Sequence, residues 1–141
     1  GIVQYSNANN PTQGGGAPSN NVTLVGANTN APVTLHNVAP GVQGTDAVNV
    51  NQLNQVNNRI NKVADDADAG TAAAMATAGL PQAYLPGKNM VAVGGGYYKG
   101  EAGYAVGFST ISDSGNWIIK ATGSGNSRGN FGASIGAGYQ W

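Results

Sequence analysis

The chain has 141 residues, 23 of them glycine and none cysteine, and its 9% of charged side chains divide into six basic and six acidic. With no basic excess there is no field to hold nucleic acid; the lack of cysteine excludes a disulfide scaffold and a thiolate metal site. A single histidine, His36, leaves no nucleophile–base pair and no metal cluster, so no catalytic, cofactor-binding or metal-binding residues are expected.

In chain order, Gly1-Ile-Val-Gln-Tyr5 shows no initiator Met, basic n-region or apolar h-region, and the chain reads as a C-terminal piece of a longer precursor. No formally charged side chain precedes Asp46. Two β-branched runs, Val22–Val25 and Val33–Val38, flank the polar stretch from Gly26 to Pro32 and predict two strands joined by a turn. Residues 7–21 read as a loop, most flexible at Gly14-Gly-Gly16. So little apolar material cannot close a core alone, so this β region is expected to oligomerise or to lean on something else. His36 reads as a hydrogen-bonding surface or interface residue. The sequon Asn21-Val-Thr23 carries no weight in so asparagine-rich a stretch.

From Val50 the period changes. Leu53, Val56, Ile60, Val63 and Ala67, followed by Gly70, recur at spacings of three and four, which is a heptad seam. Val at the d-type positions disfavours a parallel pair and points to three strands. Lys62 can reach Asp65 and Asp66, and these charges read as solvated or interchain pairs. Asp66-x-Asp68-x-Gly70 lacks the further oxygen ligands and distal Glu of a calcium loop. The helix then turns alanine-rich from Ala69 to Gly79, with small side chains on every face, and Pro81 and Pro86 are expected to stop it.

The remaining residues alternate over four predicted strands. Val91, Val93, Tyr104, Val106, Phe108, Trp117, Ile119, Phe131, Ile135 and Tyr139 form one bulky face, expected to meet lipid. Gly94, Gly96, Gly103, Ala105, Gly107, Gly132, Ser134, Gly136 and Gly138 form the other, expected to line a pore; Ile118 breaks the pattern on that small face. Turns are expected at Lys99-Gly-Glu101 and near Asp113-Ser-Gly115, and a longer loop from Gly123 to Gly129. Strands of about ten residues with one apolar face fit a membrane β-barrel, but four cannot close one, since the smallest have about eight.

Three chains would supply twelve strands. At about 4.8 Å spacing and roughly 40° tilt such a wall has a radius near 12 Å. Three alanine-coated helices form a rod of roughly 9 Å radius. After the wall's own backbone thickness about 1 Å is left, so only Gly, Ala or Ser can face inward.

These residues resemble the trimeric autotransporter adhesins with a YadA-type C-terminal anchor. Thr45-Asp-Ala-Val-Asn-Val-Asn-Gln-Leu53 is similar to the neck of that family, the Ala/Gly-rich segment to its pore helix, and the terminal aromatics Tyr139 and Trp141 to its insertion signal. Gly107 resembles the family's pore-facing glycine on the second strand, and Val33–Val38 its small head modules; the bare run Gly94-Gly-Gly96 departs from the pattern. The resemblance implies an α+β membrane protein. It would be a homotrimer with a 12-stranded transmembrane β-barrel, four strands per chain, plugged by a three-helix coiled coil and preceded by a trimeric β head. Residues 1–44 would be the head, 45–52 the neck, 53–87 the stalk and pore helix, and 88–141 the barrel segment. It implies an outer-membrane translocator of type V secretion, not an enzyme, that exports and displays a passenger for host attachment. Its partners would be outer-membrane lipid, the barrel assembly machinery and a host surface or matrix ligand, with head and stalk at the cell surface. The alternative is a soluble trimeric fibre or phage tail tip with the same coiled coil.

Overall fold

A computed structural model describes all 141 residues, Gly1–Trp141, as two compact units, Gly1–Gln52 and Leu53–Trp141. In the first, strand β1 (Val3–Tyr5) pairs antiparallel with β2 (Val22–Leu24), with Val3 opposite Leu24. The Thr23 hydroxyl donates to the Pro11 carbonyl at 2.7 Å, which leaves Ser6 Oγ to donate to Thr23 Oγ1 at 2.6 Å. That buried chain of hydroxyls ties the loop between the two strands to the ribbon. Here the sequence expectation is corrected. Val22–Val25 does enter a strand, but its partner is Val3–Tyr5, and Val33–Val38 is not a strand. Asn37, in that second run, has φ 62°, a left-handed conformation that interrupts an extended segment.

The helix α1 (Val50–Ala78) begins on a reciprocal cap. The Gln52 N–H donates to Asn49 Oδ1 at 3.1 Å, and the Asn49 N–H donates to Gln52 Oε1 at 3.2 Å, which satisfies two otherwise orphaned donors. The same Gln52 side chain clamps Gly41, accepting from its N–H at 2.9 Å and donating to its carbonyl at 3.0 Å. Asn49 Nδ2 donates to the Val38 carbonyl at 3.0 Å. The polar run before the heptad is thus a knot of side chains that fixes where the helix starts. At the other end α1 stops at Ala78, ahead of Pro81, where the Gly79 N–H closes on the Met75 carbonyl at 2.9 Å.

Four strands follow as an antiparallel meander in sequence order: β3 (Asn89–Tyr98), β4 (Glu101–Ile111), β5 (Trp117–Asn126) and β6 (Phe131–Tyr139). Lys99 (φ 46°) and Gly100 (φ 84°) make the two-residue turn that matches the twist of a hairpin. The long loop expected from Gly123 to Gly129 is not found. Gly123, Ser124, Gly125 and Asn126 are strand residues paired with Val106, Ala105, Tyr104 and Gly103, which leaves a connection of residues 127–130. The β4–β5 connection, residues 112–116, is the longest of the three. No helix is long and apolar enough to cross a membrane.

Candidate functional site

The sheet register builds a two-faced wall. On one face Val91 lies opposite Phe108 and Val93 opposite Val106; Tyr104 lies opposite Gly125, and Trp117 opposite Tyr139. Every residue assigned to the bulky face is exposed, and Phe131 and Ile135 are each 81% exposed. Large and small residues alternate across the strands: the Tyr104 ring lies over Gly125, and Val106 and Phe108 stand opposite Gly123 and Ala121. Near the end of the chain Trp117, Tyr139 and Trp141 form an aromatic row with successive ring centroids 4.9 and 6.3 Å apart. Gln140 secures that row: its N–H donates to the Asn116 carbonyl at 2.8 Å and its Nε2 to the Gly115 carbonyl at 2.7 Å.

The other face receives α1. Ala69, Ala72 and Ala76 have no exposed surface, and with Ala73 and Leu80 they make one stripe. Opposite that stripe a Cβ on Gly96 would stand 2.5 Å from the Ala72 carbonyl oxygen, and one on Gly94 would stand 2.8 Å from that of Ala76. The match is metrical, because four helical residues rise about 6 Å and two strand residues about 6.6 Å. Each step from Ala72 to Ala76 on the helix therefore meets one step from Gly96 to Gly94 on the strand. Ala105 is buried, and with Ala76, Leu80 and Ala92 it forms the core of this contact. Gly103 faces the peptide between Ala72 and Ala73, while Gly107 faces the tip of Leu80, with only 3.0 Å between a Cβ there and Leu80 Cδ1.

The helix touches the inner faces of β3 and β4; the inner face of β5 is half-buried, with Asn126 buried at its end, and that of β6 is uncovered. Between Gly70, Ala74 and Thr77 on α1 and Thr122, Gly132 and Ser134 on the sheet lies a groove of about 350 Å³. Gly136 and Gly138 have open space in front of them. The inner face is not small throughout. Met90, Ser109 and Lys120 share one row with Gly136, and Ile111 and Ile118 share the next with Gly138. The helix has ended by that level, and only the connector after it runs there, so larger side chains fit. Two hydrogen bonds hold the connector: the Ala83 N–H donates to buried Ser109 Oγ at 2.9 Å, and Lys120 Nζ donates to the Leu80 carbonyl at 3.4 Å.

The heptad seam lies elsewhere. At about 100° per residue it is centred about 160° around the helix from the alanine stripe. Leu53, Val56, Ile60, Val63 and Ala67 are all exposed, so the helix has one apolar edge against its own sheet and a second with no partner in its own chain. His36 is exposed.

Sequence reasoning missed several residues. Asp66 receives Lys62 Nζ at 2.8 Å on one oxygen, as its spacing suggested, but also Arg128 Nε at 3.3 Å on the other. Nothing in a linear pattern signals a pair 62 positions apart. The Leu80 contact and the Tyr104–Gly125 overlay were likewise visible only once the register was known.

Residues 81–141 match the family described as a YadA-like membrane anchor domain, and residues 34–76 match the coiled stalk of trimeric autotransporter adhesins. The chain is 65% identical over 116 residues, 79% of its length, to the autotransporter adhesin NhhA of Neisseria meningitidis serogroup B, of which it covers 20%. It is 39% identical over 136 residues, 86% of its length, to the autotransporter adhesin EhaG of Escherichia coli O157:H7, covering 8% of that protein. It is also 33% identical over 132 residues, 70% of its length, to the autotransporter adhesin BtaE of Brucella suis biovar 1, covering 18%. The chain thus spans a fifth or less of the length of these relatives.

Proposed function

This chain belongs to the trimeric autotransporter adhesins and is outer-membrane anchor in kind; from that premise we propose how its parts share the work. Three copies close their sheets edge to edge, β6 of one against β3 of the next, into a twelve-stranded barrel. The bulky face meets lipid, the Gly/Ala face lines the lumen, and the three α1 helices join through Leu53, Val56, Ile60, Val63 and Ala67 to fill it. During export the upstream chain passes through that lumen, and the helices then stay behind as its plug. Residues 1–44 form a head module and 45–52 a neck, both displayed outside with the stalk. Tyr139 and Trp141 mark the end that the barrel assembly machinery handles, and the upstream passenger carries host attachment.

One observation carries this reading. α1 has two opposite apolar edges, one sealed against the sheet so closely that glycine is required, the other exposed along its whole heptad seam. A four-stranded sheet with two open edges, bulky outside and only partly covered inside, adds the same demand for further copies. Gel analysis of the expressed chain, with and without detergent extraction, tests it. The expected result is a heat-resistant trimer released only by detergent. A trimer that is soluble without detergent would instead favour a fibre, and a monomer would overturn both.

A further inference from the structure

On the wall-facing side of α1 Lys62, Asp66, Ala69, Ala73 and Ala76 follow at steps of four, three, four and three, and Leu80, just past the end of the helix, comes four further on. Side-chain size changes abruptly at both ends of the alanine stretch. At one end Asp66 holds Arg128 of the β5–β6 turn at 3.3 Å. At the other, Leu80 stands against Gly107 and Gly94, with its carbonyl accepting from Lys120 at 3.4 Å. Between these ends the helix backbone faces Gly94, Gly96 and Gly103 with Ala92 and Ala105 beside them, so a shift by one helical turn brings small residues against small residues again. The two ends are where such neighbouring registers differ most.

We propose that Asp66 and Arg128 are positioning residues, an axial latch that fixes the height of α1 inside the barrel and keeps the lumen closed once the helix has seated. This rests on the plugged-barrel reading given above. Asp66 and Arg128 side chains are 30% and 35% exposed, so the pair is partly screened and contributes little to stability. A latch needs no more than that, since it has only to favour one register over its neighbours one helical turn away. Leu80 acts as the complementary stop: drawn toward the alanine stretch, its side chain would have to enter the space in which Gly96 already lies 2.5 Å, measured from a Cβ position, from the Ala72 carbonyl oxygen. Lys62 binds the other oxygen of Asp66 from the same helix and makes no bridge to the wall.

The test is the conductance of detergent-purified trimers of the full chain in planar bilayers. Arg128→Gln and Asp66→Asn should each raise the fraction of time spent conducting by about two- to five-fold, the range set by a partly exposed ion pair. The double variant should equal either single one, because one interaction is removed in all three. Lys62→Gln should conduct like the unaltered protein. Should a variant fail to assemble, the unaltered trimer supplies the answer: raising salt from about 0.1 to 1 M shortens the screening length from about 10 to 3 Å and should open it to the same degree. Heat-resistant trimers whose conductance ignores both salt and these substitutions overturn the latch and leave the barrel reading intact. Failure of the unaltered chain to form trimers overturns the barrel reading itself.

Discussion

Gly103 and Ala72 meet backbone to backbone: a methyl group built on the Gly103 α-carbon falls on the peptide that joins Ala72 to Ala73. Neither partner can yield, because one is a strand in the middle of a ladder and the other a helix turn. Gly107 is different, since its nearest neighbour is the end of the flexible Leu80 side chain at 3.0 Å. Gly136 has nothing within 4 Å in its own chain.

Alanine at the first two of these glycines should therefore have graded effects. Gly103→Ala is expected to destabilise by about 1–3 kcal/mol per chain, the usual cost of overpacking, and to lower the yield of heat-resistant trimer. Gly107→Ala should be nearly silent, because Leu80 can rotate away, whereas Gly107→His should impair export or trimer stability. Thermal dissociation of purified trimers ranks the first two, and surface display reports the third. A Gly103→Ala trimer as stable as the unaltered one contradicts the close seating of the helix.

The heptad seam gives a separate test. Ile60→Asp puts a charge on an edge that the chain's own sheet never touches, so trimer formation should be lost while strand content persists. Circular dichroism beside size-exclusion chromatography in detergent separates the two effects. Loss of strand structure in step with the trimer would show that the sheet cannot stand without it, and an intact trimer would remove the seam from the assembly.

Gln52→Ala should loosen the neck. It deletes both hydrogen bonds to Gly41 and the half of the reciprocal cap that Gln52 Oε1 accepts, while Asn49 Oδ1 still caps the backbone N–H of residue 52. Each such hydrogen bond contributes about 0.5–1.5 kcal/mol net, and faster amide exchange at Gly41 and Asn49 is the signature to measure.

The neck should also respond to acid. The Gln43 and Val42 N–H groups donate to the Asp46 carboxylate and hold its pKa below the ordinary 3.8. A lowered folded value means that this contribution is fully present above pH 3.8 and fades as the pH falls through the lowered value. Exchange protection at Val42 and Gln43 should therefore drop on the acid side of 3.8, and Asp46→Asn should remove that pH dependence. An unchanged acid profile in Asp46→Asn would assign the transition to another group.

Gly125→Val should displace the Tyr104 ring that covers it, at a cost of about 1–3 kcal/mol. Tyr104→Ala in the same background should recover part of the loss, and thermal dissociation of the trimer measures both.

The strands were legible because alternation has a period of two and both faces are distinctive: Phe131, Ile135 and Tyr139 against Gly132, Gly136 and Gly138 leave one register parity. The heptad was legible for the same reason at another period. Gly123-Ser-Gly-Asn126 was misread as a loop because glycine and serine usually punctuate turns. Here they are strand residues chosen by their surroundings, Gly125 by the Tyr104 ring above it. Val33–Val38 failed in the opposite direction, since its β-branched composition is strand-like but Val22–Leu24 takes its partner from Val3–Tyr5. Propensity describes a residue's fit to a pleated surface and not the availability of a neighbour. The Asp66–Arg128 pair was beyond reach, because no local pattern records which turn a helix charge will meet.

The open edges of the sheet, β3 on one side and β6 on the other, have a genetic consequence. A subunit in a closed ring of three contributes to both of its junctions, so one faulty copy spoils two sound ones. In a cell making equal amounts of sound and faulty chain, only about one-eighth of randomly assembled rings would be free of the fault. Alleles that damage the seam between helix and sheet, yet still allow chains to mix, should therefore behave as dominant.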